Sequence, residues 1–452
     1  MKGVQKMEKY DLMVVGGGPG GYPAAIRASQ LGMRVSLVEK NRLGGECTNY
    51  GCVPTKVLLR HAFIIYEAQK IGIKVAEEFP RILEKSLEVS RKVSDGVSYL
   101  LKRYGIDVFY SEAEVEEKGD AFYEKNNSIS AKKLILATGT DPSDLGNIRA
   151  DGELVHNNRT ILTLREKPSR VLIIGGGYVG VEYSTFFSSI GSEVTLVEIM
   201  PTILPNLDKE LSRLAERSLR KRGVRVLKKT SVKSIKKRER CIVADLGNSS
   251  EEFDIAFISV GRKLVLPNVN VERDERGFVK VDKYLRTSKK NVFASGDITG
   301  NPMLAHKAFL QGVQAAESAS DLFSEIKYVV PSVIFSSPEI FAVGFTLDQA
   351  REKGIDAKEA KLPLGGLAAS QIKEEELGLI KVVYEDKTKK VIGVHAMSPS
   401  ASELALSATL AVRHGITLDE LSFSTPPHPT MSESMKEVAE LALGRPIHYF
   451  KG

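Results

Sequence analysis

The chain has 452 residues, of which 42% are hydrophobic and 27% charged, and its formal net charge is +7. This length exceeds one compact core, so we expect two to four packed units. Lysine and arginine are spread among glutamates and form no basic tail with interleaved aromatic residues, which argues against nucleic-acid binding. No apolar stretch approaches the roughly 18 residues of a membrane span, and the first residues lack a signal-peptide core, so we expect a cytoplasmic protein without membrane association.

Two segments, one near the start of the chain and one near residue 170, follow the same pattern. Each reads as an apolar strand, the motif Gly-x-Gly-x-x-Gly, a helix with small residues, a second apolar strand and a glutamate. In both segments the glutamate stands 23 positions after the first glycine, at Glu39 after Gly16 and at Glu198 after Gly175. A strand, turn and helix with a distal acid is the pattern of a dinucleotide-binding unit.

The glycines of each copy have different expected roles. The first makes a tight turn, the second lets a pyrophosphate approach the backbone, and the third allows the helix to pack closely on the strand. They are Gly16, Gly18 and Gly21 in the first copy and Gly175, Gly177 and Gly180 in the second. The helix N-terminus favours phosphate, and the distal glutamate can accept hydrogen bonds from ribose hydroxyls. The duplication predicts two dinucleotides, and the alternative is two glycine-rich turns without a ligand.

The first copy is followed by Cys47 and Cys52, two of only three cysteines in the chain. In a cytoplasmic protein such a pair indicates redox chemistry rather than a structural disulfide. Metal binding is disfavoured because no further Cys or His has suitable spacing, and His61 lies nine residues beyond Cys52. The third cysteine, Cys241, lies in a strand-like run and is expected to be a small buried hydrophobic residue.

Between and after the repeats, further elements are predicted. An amphipathic helix is expected over about 84–104, and apolar strands that end in glycine, at 132–140 and 254–262, are expected to close two similar domains. No arginine cluster follows Glu198, so a 2′-phosphate would meet a carboxylate without compensation. The second site is therefore expected to prefer NAD over NADP.

Beyond about residue 325 the pattern changes to antiparallel strands, in VIFSSPEIFAVGFT, GLIKVVYED and KVIGVHAMS, followed by helices near 402–414 and 433–443. Ser400 and Glu403 have the spacing of a capping box, and Gly415 is expected to end the first helix. The sequence thus predicts an α/β protein with two Rossmann-like dinucleotide-binding domains and a C-terminal α+β domain. The expected segments are 1–145 for the first domain, 146–262 for the second, 263–325 returning to the first, and 326–452 for the last.

Together these motifs resemble one enzyme family. The two glycine motifs, GGECTNYGCVPTK at 44–56 and PPHPTMSE at 426–433 match the flavoprotein disulfide reductases, and the resemblance covers essentially the entire chain. Members of this family act on dihydrolipoamide, glutathione disulfide or mercuric ion. The resemblance implies FAD in the first domain, NAD in the second, a redox-active disulfide between Cys47 and Cys52, and a homodimer formed through the C-terminal domain.

The resemblance also assigns residues to each cofactor. The expected FAD-binding residues are Gly16, Gly18, Gly21, Glu39, Lys40, Gly45, Thr138, Gly139, Asp297 and Ala305. The expected NAD-binding residues are Gly175, Gly177, Gly180, Glu198 and Gly261. For Asp297, which follows a glycine, the alternative is a simple turn former.

In this family one thiol faces the flavin and the other exchanges with substrate, and Cys52 and Cys47 match these two positions. Lys56 matches a lysine near flavin N5, and Glu182 matches its carboxylate partner. The alternatives are a charge on a helix surface for Lys56 and an exposed helix residue for Glu182.

A reduced lipoyl thiol must be deprotonated before it can attack, which requires a base with a pKa near neutrality. The resemblance assigns this role to His428, oriented by Glu433, and implies that His428 serves the disulfide of the partner subunit. Thr430 and Glu433 also have the spacing of a capping box, which is the structural alternative for this segment.

The expected substrate is dihydrolipoamide, free or on a lipoyl-bearing protein of a 2-oxoacid dehydrogenase or related system. Ile26 stands where glutathione-using relatives carry an arginine, and the chain lacks the terminal cysteine pair of mercuric reductases. Glu46 and Tyr50 differ from the neutral neighbours usual in the cysteine loop, so another disulfide or mercuric ion is the alternative substrate. A flavin NADH oxidase, a transhydrogenase and a non-catalytic scaffold are alternatives of other classes.

Overall fold

The structure is a computed structural model, and it describes residues 8–75, 79–119, 121–266, 268–323 and 325–450. The helices are Tyr22–Gln30 (α1), Gly45–Asn49 (α2), Cys52–Lys70 (α3), Phe79–Arg103 (α4), Tyr178–Ser189 (α5), Lys209–Lys221 (α6), Ala305–Ala319 (α7), Leu347–Glu352 (α8), Ala368–Ile372 (α9), Ala401–His414 (α10), Leu418–Ser422 (α11) and Glu433–Ala442 (α12). Short 3₁₀ turns occupy Ile161–Thr163, Gly296–Thr299 and Leu364–Gly366.

The strands of the first half are Glu8–Val15 (β1), Val35–Glu39 (β2), Asp107–Tyr110 (β3), Val115–Lys118 (β4), Ala121–Glu124 (β5), Ile129–Leu136 (β6), Thr140–Pro142 (β7), Val155–His156 (β8), Arg170–Ile174 (β9), Glu193–Glu198 (β10) and Arg225–Lys228 (β11). Those of the second half are Ser234–Lys237 (β12), Ile242–Asp245 (β13), Ser250–Phe253 (β14), Ile255–Ile258 (β15), Arg262–Leu264 (β16), Val292–Ala294 (β17), Ser332–Ile334 (β18), Glu339–Gly344 (β19), Ala357–Pro363 (β20), Leu379–Glu385 (β21) and Val391–Ser398 (β22).

The first compact unit comprises Met1–Val57, Pro80–Ser143 and Gly261–Tyr328. Its main sheet has the order β3-β2-β1-β6-β5-β4, with β17 beside β6. Strands β1, β2, β3, β6 and β17 are parallel, whereas β4 and β5 form an antiparallel extension. β1 ends in four consecutive buried apolar residues, as expected of a parallel strand that is covered on both faces. A separate two-stranded ladder pairs β7 with β16.

The second compact unit comprises Leu58–Phe79, Asp144–Val260 and Val329–Gly452. It contains a parallel sheet of order β11-β10-β9-β15-β8, which carries the second glycine motif, and a small antiparallel sheet of β12, β13 and β14. Its C-terminal part is a five-stranded antiparallel sheet of order β18-β19-β22-β21-β20. Helices α10, α11 and α12 contribute buried residues to the core formed on this sheet.

The predicted fold class is confirmed: two parallel-sheet units carry the glycine motifs, and the C-terminal part is antiparallel. The helix expected over about 84–104 is present as α4, and it begins five residues earlier. Gly415 ends α10 with a φ of 62°, as predicted. The domain boundaries expected from the sequence stay predictions.

The capping box expected at Ser400 and Glu403 is wrong. Ser400 has a φ of 58° and its side chain accepts no capping hydrogen bond. A capping side chain reaches the helix from extended backbone, and the left-handed conformation of Ser400 does not provide this geometry. Instead, Glu339 Oε2 accepts a hydrogen bond of 2.9 Å from Ser402 N, so an acid from β19 satisfies this helix end.

The expectation that Cys241 is buried is also wrong, because this residue is partly exposed. It lies just before β13, in which Ile242 and Ala244 are buried and Val243 and Asp245 are not. Successive side chains of a strand face opposite sides, so Cys241 shares the outer side with Val243.

Candidate active site

The two glycine turns have nearly the same geometry. Gly16 and Gly175 have φ values of 103° and 104°, a region that residues with a side chain rarely adopt. A Cβ atom on Gly21 would lie 1.7 Å from the carbonyl oxygen of Gly16, and one on Gly180 would lie 1.9 Å from that of Gly175. The first and third glycines of each motif are therefore required by the backbone itself.

The distal glutamate of each motif is held in place by backbone N–H groups. Glu39 Oε2 accepts a hydrogen bond of 2.7 Å from Gly17 N, and Oε1 accepts one of 2.7 Å from Asn41 N. Glu198 makes the same two bonds with the equivalent positions of the second copy, at 2.6 and 2.7 Å. Each carboxylate oxygen can accept further hydrogen bonds, so both sites fit the ribose of a dinucleotide.

The second glycine of each motif leaves space above the turn. Among the described residues other than its chain neighbours, a Cβ atom on Gly177 would meet no atom within 4 Å, and one on Gly18 would meet only Gly45 Cα, at 3.6 Å. Gly45 has a φ of 59° and begins α2, so the cysteine-bearing turn packs directly against the first motif. The bare backbone at these positions fits the close approach of a pyrophosphate.

Other predicted FAD-binding residues lie at element ends of the first unit. Thr138 and Gly139 follow β6, and the Thr138 hydroxyl donates to the carbonyl oxygen of Val265. Asp297 lies in a 3₁₀ turn, where its Oδ2 accepts a hydrogen bond of 2.8 Å from Thr140 Oγ1. This bond holds the carboxylate at a defined place within the turn, and the assignment of Asp297 to FAD stays a prediction.

Three more predicted cofactor contacts lie on loops or at a helix start. Lys40 directly follows β2 and is exposed, and Ala305 is the first residue of α7. Gly261 stands between β15 and β16 with a φ of 120°. Their assignments to FAD and NAD stay predictions.

The cysteine pair spans the junction of two helices. Cys47 lies in α2 and is partly buried, and Cys52 begins α3 and is exposed. They do not form a disulfide in this structure, and their side chains are hydrogen-bonded to each other. This bond, together with burial and the charge of Cys52, raises the pKa of Cys47, while the Lys56 ammonium acts in the opposite direction. Cys47 is therefore held as the protonated member of the reduced pair.

Asn49, between the two cysteines, fixes the turn that carries them. Its side-chain amide is buried and donates to the carbonyl oxygens of Leu43 and Gly45, at 3.0 and 2.9 Å. Sequence reasoning missed this residue. A buried asparagine inside a glycine-rich loop is the signal that could have indicated it, because its amide satisfies backbone carbonyls that no helix or strand uses.

The C-terminal histidine and glutamate are brought together. His428 Nδ1 lies 2.9 Å from Glu433 Oε1, and Glu433 Oε2 accepts a hydrogen bond of 2.9 Å from Thr430 N. Burial opposes ionisation of Glu433, but the bonds to His428 and Thr430 keep the pKa of this carboxyl below its ordinary value. The side chain of His428 is 72% exposed, so its second ring nitrogen is open to a reactant. The arrangement is that of a base oriented by a carboxylate.

Comparisons with known proteins decide the family. Residues 10–312 match the model of pyridine nucleotide-disulphide oxidoreductases, and residues 330–439 match the dimerisation domain of the same family. The chain belongs to the pyridine nucleotide-disulphide oxidoreductase family. It is 37% identical to dihydrolipoyl dehydrogenases of Bacillus subtilis and Thermus scotoductus, over 98% of this chain and 98% and 99% of theirs. It also resembles the crystal structure of LpdA from Mycobacterium tuberculosis, with a TM-score of 0.88 and 26% identity, over 96% of this chain and 99% of that one.

The predictions of a flavoprotein disulfide oxidoreductase and of FAD and NAD as its cofactors are therefore confirmed. The match to the dimerisation domain supports the expected homodimer. Among the described residues, no helix is long and apolar enough to cross a membrane.

Two more residues that the family resemblance singled out have defined environments. Glu182 on α5 is 4% exposed, and its Oε1 accepts a hydrogen bond of 3.0 Å from Phe335 N, so the alternative of an exposed helix residue is wrong. Lys56 is partly buried in the first turns of α3, where its charge acts on Cys47. The family roles of both residues stay predictions.

A last group of contacts in the oxidoreductase centres on Arg262, which sequence reasoning did not select. Its guanidinium lies 3.3 Å from Glu46 Oε1 and donates to Thr140 Oγ1 and to the Thr140 carbonyl oxygen, at 2.7 and 2.6 Å. The antiparallel ladder of β7 and β16 places Arg262 opposite Pro142 and so beside Thr140. Glu46, the residue before Cys47, thus has a cationic partner.

Proposed function

We propose that the protein oxidises dihydrolipoamide to lipoamide and reduces NAD+, by exchange at a disulfide between Cys47 and Cys52. The observation that carries this proposal is the hydrogen-bonded cysteine pair in a turn packed against the first glycine motif. The names of the curated relatives support dihydrolipoamide as the substrate. In the cell the substrate would be the lipoyl group of a protein of a 2-oxoacid dehydrogenase or related system. We also propose a cytoplasmic location, which is supported by the small number of cysteines in the chain.

The first half of the exchange breaks the protein disulfide. His428 takes the proton from one thiol of dihydrolipoamide, and the resulting thiolate attacks the sulfur of Cys47. A bond forms between the lipoyl sulfur and Cys47, the Cys47–Cys52 bond breaks, and Cys52 leaves as a thiolate. Glu433 stabilises the imidazolium that has formed on His428.

The second half of the exchange releases lipoamide. The other lipoyl thiol attacks the lipoyl sulfur of the mixed disulfide, which closes the lipoamide ring and expels Cys47, and the proton that this thiol loses passes to Cys47. This protonation of Cys47 agrees with the raised pKa that its hydrogen bond with Cys52 and its burial produce. When bound, FAD accepts the two electrons of the dithiol and NAD+ receives them as hydride. Glu39 and Glu198 position the two nucleotides, and Lys56, near the cysteine pair, orients the flavin edge.

Anaerobic reduction of the cysteine variants tests the assignment of the two thiols. Reduced wild-type protein should show a long-wavelength absorbance from a thiolate against the flavin. Cys52→Ser should abolish this band, whereas Cys47→Ser should keep it while losing turnover. A band that survives in Cys52→Ser contradicts the assignment.

A panel of substrates tests the reaction itself. NADH formation with dihydrolipoamide is compared with NADPH oxidation in the presence of glutathione disulfide, coenzyme A disulfide or mercuric ion. The proposal requires the first activity to exceed the others by at least about 100-fold in kcat/KM, a difference of about 2.7 kcal/mol in transition-state stabilisation. Faster turnover of any other disulfide contradicts it.

We further propose that His428 serves the disulfide of the second copy in a homodimer. Mixed dimers of Cys47→Ser chains with His428→Gln chains then contain one complete site, although both parent homodimers are inactive. Co-expression with two affinity tags isolates the mixed dimer, which should recover roughly half of the wild-type kcat. A mixed dimer as inactive as its parents would place the base in the same chain as its disulfide.

A further inference from the structure

Glu46 directly precedes Cys47, one of the two cysteines of the proposed redox-active disulfide. Glu46 lies in the first turn of α2, and its side chain is 21% exposed. Because Glu46 is bonded directly to Cys47 along the chain, its carboxylate is a negative charge in the neighbourhood of the thiol pair, and such a charge opposes the formation of a thiolate. A partner for this carboxylate is therefore of consequence for the chemistry of the pair.

Arg262 provides that partner from a distant part of the chain. Its side chain is 24% exposed, and its two hydrogen bonds to Thr140 hold the guanidinium in one position beside Glu46. Thr140 is 5% exposed and in turn donates to Asp297. The cation thus belongs to an ordered, mostly buried network and is not a mobile surface charge.

We propose that the Glu46–Arg262 ion pair is a charge-neutralising element that sets the reduction potential of the Cys47–Cys52 couple. This inference rests on the proposed function, since it concerns the same disulfide. Reduction adds two electrons and one proton to the disulfide, which gives one thiol and one thiolate. A charge near the pair changes the free energy of the thiolate form and leaves that of the neutral disulfide almost unchanged, so it shifts the potential.

Removal of either charge should shift the reduction potential of the Cys47–Cys52 couple, in opposite directions. In Arg262→Gln the Glu46 carboxylate loses this cation, so the thiolate is destabilised and the potential falls. In Glu46→Gln the guanidinium is left in excess, so the thiolate is stabilised and the potential rises. We expect about a threefold to tenfold change in the dithiol–disulfide equilibrium constant for each, which is about 15 to 30 mV for a two-electron couple. The double variant should return close to the wild-type value.

The measurement poises the FAD-loaded protein in mixtures of reduced and oxidised dithiothreitol and counts alkylated Cys47 and Cys52 by mass spectrometry. Arg262→Lys keeps the positive charge but cannot make both hydrogen bonds to Thr140. Its dithiol–disulfide equilibrium constant should stay within about twofold of the wild-type value. Glu325→Gln removes one partner of the exposed Lys283–Glu325 pair in the same unit and serves as the matched control. Flavin content and circular dichroism verify that each variant is folded.

The possible outcomes distinguish an electrostatic effect of the ion pair from a structural effect of the hydrogen bonds that Arg262 makes. Shifts of opposite sign that cancel in the double variant, and that disappear at a pH low enough to protonate both thiols, support the proposal. Shifts of the same sign, a shift in Arg262→Lys as large as in Arg262→Gln, or no shift at all would overturn it while leaving the proposed function intact. If no Cys47–Cys52 disulfide forms at any poise, both the inference and the proposed function are wrong.

Discussion

The carboxylate of Glu433 uses its two oxygens for different partners: Oε1 lies 2.9 Å from His428 Nδ1, and Oε2 accepts from Thr430 N at 2.9 Å. The bond from Thr430 N is one half of the capping-box pattern, but the capping box is not formed, because Ser432 is the N-cap of α12 and its side chain makes no capping hydrogen bond. The bond to Thr430 fixes the carboxylate, and the fixed carboxylate then orients the imidazole. The catalytic role of the pair stays a prediction.

Replacement of Glu433 by glutamine should separate the two roles. The amide oxygen can still accept from Thr430 N, so the free energy of unfolding should change by less than about 1 kcal/mol. The neutral amide cannot stabilise an imidazolium, so kcat for dihydrolipoamide oxidation should fall by about 100-fold to 10,000-fold. Steady-state kinetics and urea denaturation measure the two quantities.

Glu403→Gln is the matched control for this substitution. Glu403 also lies in the first turn of a C-terminal helix, but it is exposed, and the capping box expected there is not formed. Its replacement should change neither kcat nor stability appreciably. Equal losses of activity in the two variants would mean that Glu433 contributes only a general negative charge at this end of the domain.

In the second glycine motif, NAD+ binding can be tested by a substitution that should not disturb the fold. A Cβ atom on Gly177 would have no described residue beyond its chain neighbours within 4 Å, whereas one on Gly180 would lie 1.9 Å from the carbonyl oxygen of Gly175. Gly177→Ala should therefore keep the stability and the flavin content of the wild type, and raise the KM for NAD+ by at least about tenfold because the methyl group occupies the pyrophosphate position. Gly180→Ala should lose stability as well, because backbone must move.

Thermal unfolding, flavin absorbance and NAD+ kinetics distinguish these two alanine variants. If Gly177→Ala binds NAD+ as well as the wild type, the second motif does not hold the pyrophosphate at this glycine. The counterpart of Gly180→Ala in the first motif, Gly21→Ala, should abolish flavin retention, since its Cβ atom would lie 1.7 Å from Gly16 O.

The parts of the fold that the sequence predicts are those encoded by local patterns. Equal spacing of Gly16 to Glu39 and of Gly175 to Glu198 predicts two equivalent units, and the structure shows the same paired backbone bonds to both glutamates. Positive φ angles at glycine and alternation of apolar residues are local properties, so they can be recognised without tertiary information.

Contacts between distant segments could not be predicted in this way. Arg262 meets Glu46 only because the ladder of β7 and β16 brings Arg262 beside Thr140, and no local pattern in the sequence contains that pairing. At Ser400 the local sequence has the spacing of a capping box, but a tertiary contact takes its place. Glu339 from a neighbouring strand bonds to the helix start, and Ser400 then adopts a left-handed conformation.

Two buried histidines should make the second unit sensitive to mild acid. His395 and His156 are 2% and 1% exposed, and each has one ring nitrogen near a carbonyl oxygen, that of Phe345 at 2.9 Å and that of Glu153 at 3.1 Å. Burial lowers the pKa of both imidazoles, although the carbonyl contacts oppose this shift. Both are therefore neutral in the folded protein under conditions in which an exposed histidine begins to protonate.

The sign of the effect follows from proton linkage. Below the ordinary histidine pKa of about 6.5 the unfolded chain binds protons that the folded chain does not, so the free energy of unfolding falls as the pH decreases towards the folded-state values. Above about 6.5 the contribution is fully present. Between pH 6.5 and the folded-state pKa values, each histidine should lower the free energy of unfolding by up to about 1.4 kcal/mol for each pH unit of decrease.

His395→Gln should remove one of these two contributions, because glutamine can donate to the carbonyl oxygen of Phe345 and does not titrate. Urea denaturation at pH 7.5 and pH 5.5 should show a loss of stability in the wild type that is smaller in the variant by up to about 1.4 kcal/mol. His156→Gln should give a similar reduction, and the two should add because each group titrates in its own pocket. His414→Gln, at the exposed end of α10, is the control that should leave the difference unchanged. A wild-type loss that His395→Gln does not reduce would show that other groups take up the protons on unfolding.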